Sequence, residues 1–283
     1  MAGLTTVGFD ADDTLWQNET FFRLTQDRFT ALLADHAEAD HLAERLIAAE
    51  RRNLGHYGFG VKGFMLSMIE TAIEVTDGRV AAAVIAEILD AGREMLRHPV
   101  QLLPQARDVV TAVARDYRVL LITKGDLLDQ ERKLAQSGLG DLFYGVEIVS
   151  DKTPKSYATI FARHGHGAAR AMRVGNALKS DVLPALEAGA WAVHVPHGMT
   201  WELEAALPPQ GNARQRPRPP APAAHRISAN CRPSSPVSGH GHGGRKSWRS
   251  SLASCPRRFR PRRTNPPAPI APTCVPDPKG RPW

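Results

Sequence analysis

Residues 4–15 read LTTVGFDADDTL, and the fold turns on this stretch. Residues 4–9 are a short apolar run rich in Thr and Val, the pattern of a buried strand. The run stops at Asp10, and a second carboxylate, Asp12, follows two residues later. Both acids then stand at the carboxyl end of a strand, which is where open parallel sheets hold their ligands.

Downstream the pattern turns helical. Between residues 18 and 96, apolar side chains recur at spacings of three and four: Phe21, Phe22, Leu24, Phe29, Leu32 and Leu33, then Leu42, Leu46 and Ile47, then Met65, Met68, Ile69 and Ile73, then Val80, Val84, Ile88 and Leu89. Gly55, Gly58, Gly60 and Gly63 interrupt this block. Beyond it, helix and strand alternate. Helices are expected over 105–115, 127–136, 156–163 and 178–188, and strands over 117–122, 144–149, 171–174 and 191–195. Alternation with nearly continuous apolar strands predicts an α/β fold, a Rossmann-like doubly wound parallel sheet covered on both faces. The expected organisation is a core of residues 1–16 and 97–207, a smaller all-helical module over 17–96, and a tail from 208 to 283.

The other strand ends repeat the theme of the first. One ends Thr123-Lys124-Gly125-Asp126, another leads to Ser150-Asp151-Lys152, and a third ends Gly175-Asn176 with Asp181 shortly after. A single Thr or Asp after a strand is commonly only a helix N-cap. Four such ends in order mark one functional rim.

This ordered set resembles the haloacid dehalogenase superfamily over nearly all of residues 4–201. Asp10-Ala11-Asp12-Asp13-Thr14-Leu15 looks like its first motif, DxDxT after an apolar strand. Thr123 looks like its second, Lys152 like its third, and Gly175 to Asp181 like its fourth, with Asn176 where many relatives carry Asp. The resemblance implies a Mg²⁺-dependent phosphatase acting on a small phosphorylated metabolite through an aspartyl-phosphate, with the helical module as a cap. Asp10 would be the nucleophile. Asp12 would be the general acid and base. Thr123 and Lys152 would hold the phosphoryl group, with help from Ala11 and Lys124. Asp10, Asp12 (through its main-chain carbonyl), Asn176 and Asp181 would surround Mg²⁺. Two other readings stay open: a dehalogenase-type hydrolase, and a non-catalytic binding domain whose basic tail holds nucleic acid. Halide displacement needs neither Asp12 nor a metal, so the acids favour phosphate chemistry.

Several neighbours of the rim are expected to do less. Lys155 reads as a solvated residue at a helix start and Asp13 as a loop brace. Trp16 packs the junction of the modules or gates the cavity. His56, Tyr57 and Lys62 mark a candidate substrate-facing loop. His164 and His166 read as surface residues, His194 and His197 as structural ones.

The net charge of +7 over 283 residues hides two unlike parts. From Pro208 onward lie 15 of the 36 basic residues and one acid, Asp277, leaving 21 basic and 28 acidic residues before it. The tail also holds 17 of the 22 prolines and all three cysteines, so Cys-based redox or metal chemistry is excluded from the body. Its composition predicts disorder. It reads either as an out-of-frame product of a GC-rich gene, which is preferred, or as a tail binding nucleic acid non-specifically. No run approaches a membrane span, and residues 1–10 lack a secretory pattern, so a cytoplasmic protein without membrane partners is expected. Oligomeric state is left open.

Overall fold

In the computed structural model, residues 3–208 are described. They hold five strands: β1 (Thr6–Phe9), β2 (Arg118–Lys124), β3 (Gly145–Val149), β4 (Ala171–Gly175) and β5 (Trp191–His194). All pairings are parallel, in the order β3-β2-β1-β4-β5. The connections turn back at β1, so the crevice beside its carboxyl end is the switch point at which such sheets hold ligands.

Side chains alternate across each strand, and the two sets meet different helices. Val119 and Leu121 of β2 pack with Val7 and Phe9 of β1 against Ala106 and Val110 of α5 (Ala106–Ala114). Leu120 and Ile122 face Tyr157, Ile160 and Phe161 of α7 (Pro154–His164), and Ala185 of α8 (Leu183–Glu187). The remaining core helix, α6 (Leu127–Ser137), starts where Asp126 accepts the Asp129 N–H. Helix α7 starts with a capping box of Thr153 and Ser156, followed by Pro154 at its first turn.

Between β1 and α5 the chain forms α1 (Glu19–Leu32), α2 (Ala39–Tyr57), α3 (Val61–Val75) and α4 (Ala82–Arg97). These have an apolar centre of their own, built from Phe29, Leu33, Leu42, Leu46, Phe64, Met68 and Ile88. Most residues of the helical period meet here, but Leu24 and Ile73 are exposed instead.

Two elements differ from the sequence reading. Strand β2 runs on through Thr123 and Lys124, because both still pair with Ile148 and Val149 of β3. The helix expected over 178–188 opens as a π-helical turn, Leu178–Val182, in which the Val182 N–H reaches back to Ala177 O at 3.3 Å. Pro184, which has no N–H to give, follows at the start of α8. Apart from Pro208, the expected disordered tail and its cysteines lie outside the described residues. Among the described residues, no helix is long and apolar enough to cross a membrane.

Candidate active site

The carboxyl ends of β1, β2 and β4 face the helical block across a cavity of about 150 Å³. Asp10 enters it from the end of β1, where its N–H donates to Val174 O at 2.8 Å and continues the sheet. The chain then turns sharply, with the N–H groups of Thr14 and Leu15 both reaching Ala11 O. This turn brings the Thr14 hydroxyl within 3.4 Å of Asp10 Oδ2 and 3.2 Å of Asn176 Oδ1. The Asn176 N–H donates back to Thr14 Oγ1 at 3.1 Å. One hydroxyl therefore gathers an oxygen from each of two strands.

Behind Asp10 lies a buried ionic cluster. Lys152, only 6% exposed, donates to Asp10 Oδ1 and, at 2.8 Å, to Asp181 Oδ1. Arg173, on β4 and fully buried, reaches the same Asp181 oxygen through Nη2 at 2.6 Å and Nε at 3.2 Å. Its Nη2 also lies 3.2 Å from Asp10 Oδ1. The Tyr157 ring stacks near the guanidinium, and its hydroxyl donates to Ser180 O. The second Asp181 oxygen accepts the Ala177 N–H at 3.1 Å. Gly175 is obligatory here, because a Cβ would fall within 2.7 Å of the Asp181 carboxyl and its Cβ. Burial and the neighbouring Asp181 push the Asp10 carboxyl upward against the pull of Lys152 and Arg173. Asp181 goes the other way: burial would raise it, but Lys152 and Arg173 together hold it well below the usual carboxylate range.

Asp12 sits in a separate nest. Its oxygens accept from Trp16 Nε1 at 2.7 Å, Gln130 Nε2 at 2.7 Å and Lys133 Nζ at 3.0 Å. Burial favours its neutral form, but Lys133 and these donors outweigh it and lower the pKa, so Asp12 is an ionised carboxylate. Thr123 is buried beside it, donating to Gln130 Oε1 at 3.3 Å.

The far wall comes from the helical block and the segment after β5. Lys124 pairs with Glu204 and lies 3.8 Å from the centre of the Phe59 ring. Phe59 meets Trp201 edge-on, and Trp201 Nε1 donates to Glu50 Oε2 at 3.3 Å. Burial raises Glu50 to about 7. Burial also raises Glu19, to about 7, and Asp13, to about 6.

Of the residues expected at the site, Asp10, Asp12, Thr123, Lys124, Lys152 and Asn176 line the cavity. Ala11 and Asp181 are fully buried and do not line it. Lys155 is exposed. Asp13 accepts the N–H groups of Asn18 and Glu19 at the start of α1. Trp16 is fully buried with the core residues of the sheet. In the loop after α2, Gly58, Phe59 and Gly60 face the cavity, whereas His56, Tyr57 and Lys62 are exposed and do not line it. Sequence reasoning did not single out Arg173, Gln130, Lys133, Tyr157, Glu50, Trp201 or Glu204. Three of these left a signal. Arg173 is a charge inside an otherwise apolar strand, which is tolerable only if paired. Gln130 and Lys133 lie three apart on one face of the helix that follows Thr123.

The family resemblance implies Mg²⁺, and the donor set can be tested against it. Among the described residues there is no group of three or more His, Cys, Asp or Glu side chains spaced to hold a metal. Asp181, expected as a ligand, has both oxygens engaged by Lys152, Arg173 and the Ala177 N–H. Asp10 Oδ2 and Asn176 Oδ1, however, share the Thr14 hydroxyl. No hydrogen bond among the described residues ends on the Asp12 carbonyl oxygen. These three oxygens fit Mg²⁺, which takes one or two carboxylates and completes its shell with water and phosphate.

Comparison with known proteins gives the chain a family. A model of haloacid dehalogenase-like hydrolases matches residues 4–189. The crystal structure of a haloacid dehalogenase-like family hydrolase from Xanthomonas campestris is 45% identical, with a TM-score of 0.66, covering 69% of this chain and 82% of that one. A Thermotoga maritima protein provisionally named a beta-phosphoglucomutase is 14% identical, with a TM-score of 0.52, covering 71% and 89%. A dehalogenase solved as an intermediate complex is 15% identical, with a TM-score of 0.51, covering 71% and 88%. The last two share the fold alone. No curated protein sequence matches. With its motifs in order on a five-stranded parallel sheet, the chain belongs to the haloacid dehalogenase-like hydrolase family.

Proposed function

We propose that this hydrolase is a Mg²⁺-dependent phosphatase that cleaves a small phosphorylated metabolite through an aspartyl-phosphate on Asp10. The observation that carries the reading is the convergence of Asp10, Asp12, Thr123 and Lys152 on one cavity at the carboxyl edge of the sheet. An Asp10 oxygen attacks phosphorus, and the bond to the leaving oxygen breaks. Asp12 gives that oxygen its proton, then takes one from the water that cleaves the phosphoryl–Asp10 bond. Asp12 begins as a carboxylate held by Lys133; as phosphate enters, its negative charge raises the Asp12 pKa and the carboxylate takes up a proton from solvent. Lys152 and the Thr123 hydroxyl counter the charge that develops on the phosphoryl oxygens. Asp10, Asn176 and the Asp12 carbonyl would hold Mg²⁺, which when bound neutralises phosphate charge and so eases attack by a carboxylate. Asp181 acts through Lys152 and Arg173, holding both cations against Asp10.

The helical block, α1 to α4, acts as a cap: Phe59 and its neighbours shut water out, and the side chains facing Asp10 select the leaving group. Dehalogenation is the second reading within the family. It is disfavoured because Asp12 is held by three donors, an investment that halide displacement does not need.

Release of p-nitrophenol from p-nitrophenyl phosphate in the presence of Mg²⁺ tests the proposal. Wild type should turn over, and Asp10→Asn should lose roughly 10³-fold or more in kcat, as loss of a nucleophile does. Fluoride or chloride release from 2-haloacids without phosphate release from any monoester would overturn it.

A further inference from the structure

We propose that Arg173 is a positioning residue and a built-in counter-charge of this site: it holds Asp181 and makes the buried cluster neutral beforehand, so that divalent metal binds weakly. The inference takes the metal's place beside Asp10 from the phosphatase reading; the rest comes from Arg173 itself.

Arg173 is fully buried in β4, on the same face as Ala171 and two residues before Gly175. Strand neighbours on that face pack Leu120, Ile122 and Phe161, so an apolar side chain would suit the position. Instead a guanidinium sits there with Nη1 buried and, among the described residues, without a hydrogen-bond partner. A group that leaves a donor unpaired in the core is not there for packing. What it does touch is two carboxylates: Asp181 through two nitrogens and Asp10 through one. It cannot swing away, because Asp181 and the Tyr157 ring hold it, and it cannot shed its charge.

The charge balance follows. Asp10 and Asp181 are matched by Lys152 and Arg173, all within one set of contacts. Other candidate ligands, Asn176 and the Asp12 carbonyl, carry no charge. A divalent cation on Asp10 Oδ2 would share that carboxylate with the fixed cation on Oδ1, and repulsion at such range is strong where the dielectric is low. A role limited to bracing Asp181 would not alter metal affinity in this direction.

The test is Mn²⁺ binding to the full chain, followed by electron paramagnetic resonance and titration calorimetry without substrate. Arg173→Met should bind Mn²⁺ at least about tenfold more tightly than wild type, and Arg173→Lys, which keeps the charge, should stay within about threefold of it. Equal or weaker binding by folded Arg173→Met overturns the proposal. Should that variant not fold, Arg173→Gln, which also removes the charge, takes its place: tighter Mn²⁺ binding than wild type supports the inference, and equal or weaker binding overturns it. Failure of the phosphatase reading would show separately, as absence of phosphate release by wild type.

Discussion

The two ends of the cavity treat buried acids in opposite ways. At the sheet end, Asp181 is fully buried yet held ionised, because Lys152 and Arg173 touch it directly. At the helical end, Glu50 has no ion-pair partner among the described residues, only the Trp201 N–H, and burial raises it to about 7. Glu19 has Arg23 at 3.3 Å, but that arginine is half-exposed, and Glu19 too rises to about 7. Burial acts on all three; contact with a buried cation decides the sign. The sheet end is built to keep charge in place. The helical end is built with acids close to neutrality that a positively charged or hydrogen-bond-donating group could ionise.

This contrast can be broken by substitution. The largest effect is expected for Asp181→Ala, which leaves Arg173 and Lys152 sharing Asp10 alone. Removing one partner of a buried ionic cluster costs about 3–5 kcal/mol, and urea unfolding at pH 7.5 should show it. A loss below about 1 kcal/mol would mean that the cluster is not the tightly coupled unit described here.

Glu50→Gln should act with the opposite sign. The folded pKa of Glu50, about 7, exceeds the roughly 4.3 of an exposed glutamate, so the folded state binds the extra proton between those values. Stability from this group is full below that lower value and is lost as pH rises through about 7. The variant should therefore melt like wild type at pH 4 and a few degrees higher than wild type at pH 8. A wild-type advantage at pH 8 would contradict the assigned environment. The smallest effect is expected for Lys62→Ala. Its ammonium pairs with Asp126 at 2.8 Å across the block and the sheet, but half of the lysine side chain is exposed. Such pairs contribute up to about 1 kcal/mol, and the thermal midpoint should hardly move. A large drop would instead mean that this pair contributes far more stability than an exposed ion pair does.

Much of this arrangement was legible in residue order. The apolar run that stops at Asp10 is β1, and the strand ends carrying Thr123, Asn176 and the route to Lys152 meet at one rim. The preference for Lys152 over Lys155 rested on position along the chain, and the two differ sharply in exposure. The partners of the acids were not legible. Asp12 and Lys133 are 121 residues apart, and Lys124 and Glu204 are 80 apart. No local pattern links them, because the contacts exist only once β2, α6 and the segment after β5 share an edge. Asp181 shows the same gap: its place in the motif was visible, whereas both its oxygens are taken by groups that the motif does not contain.

Order along the chain determined the alternation of strand and helix, the parallel sheet and the set of polar residues at its carboxyl edge, since apolar periodicity is a local property that survives in one dimension. Tertiary structure alone decided which of those carboxylates are charged. A pKa depends on burial and on cations a few ångströms away, and only folding brings Arg173, Lys152 and Lys133 to that distance.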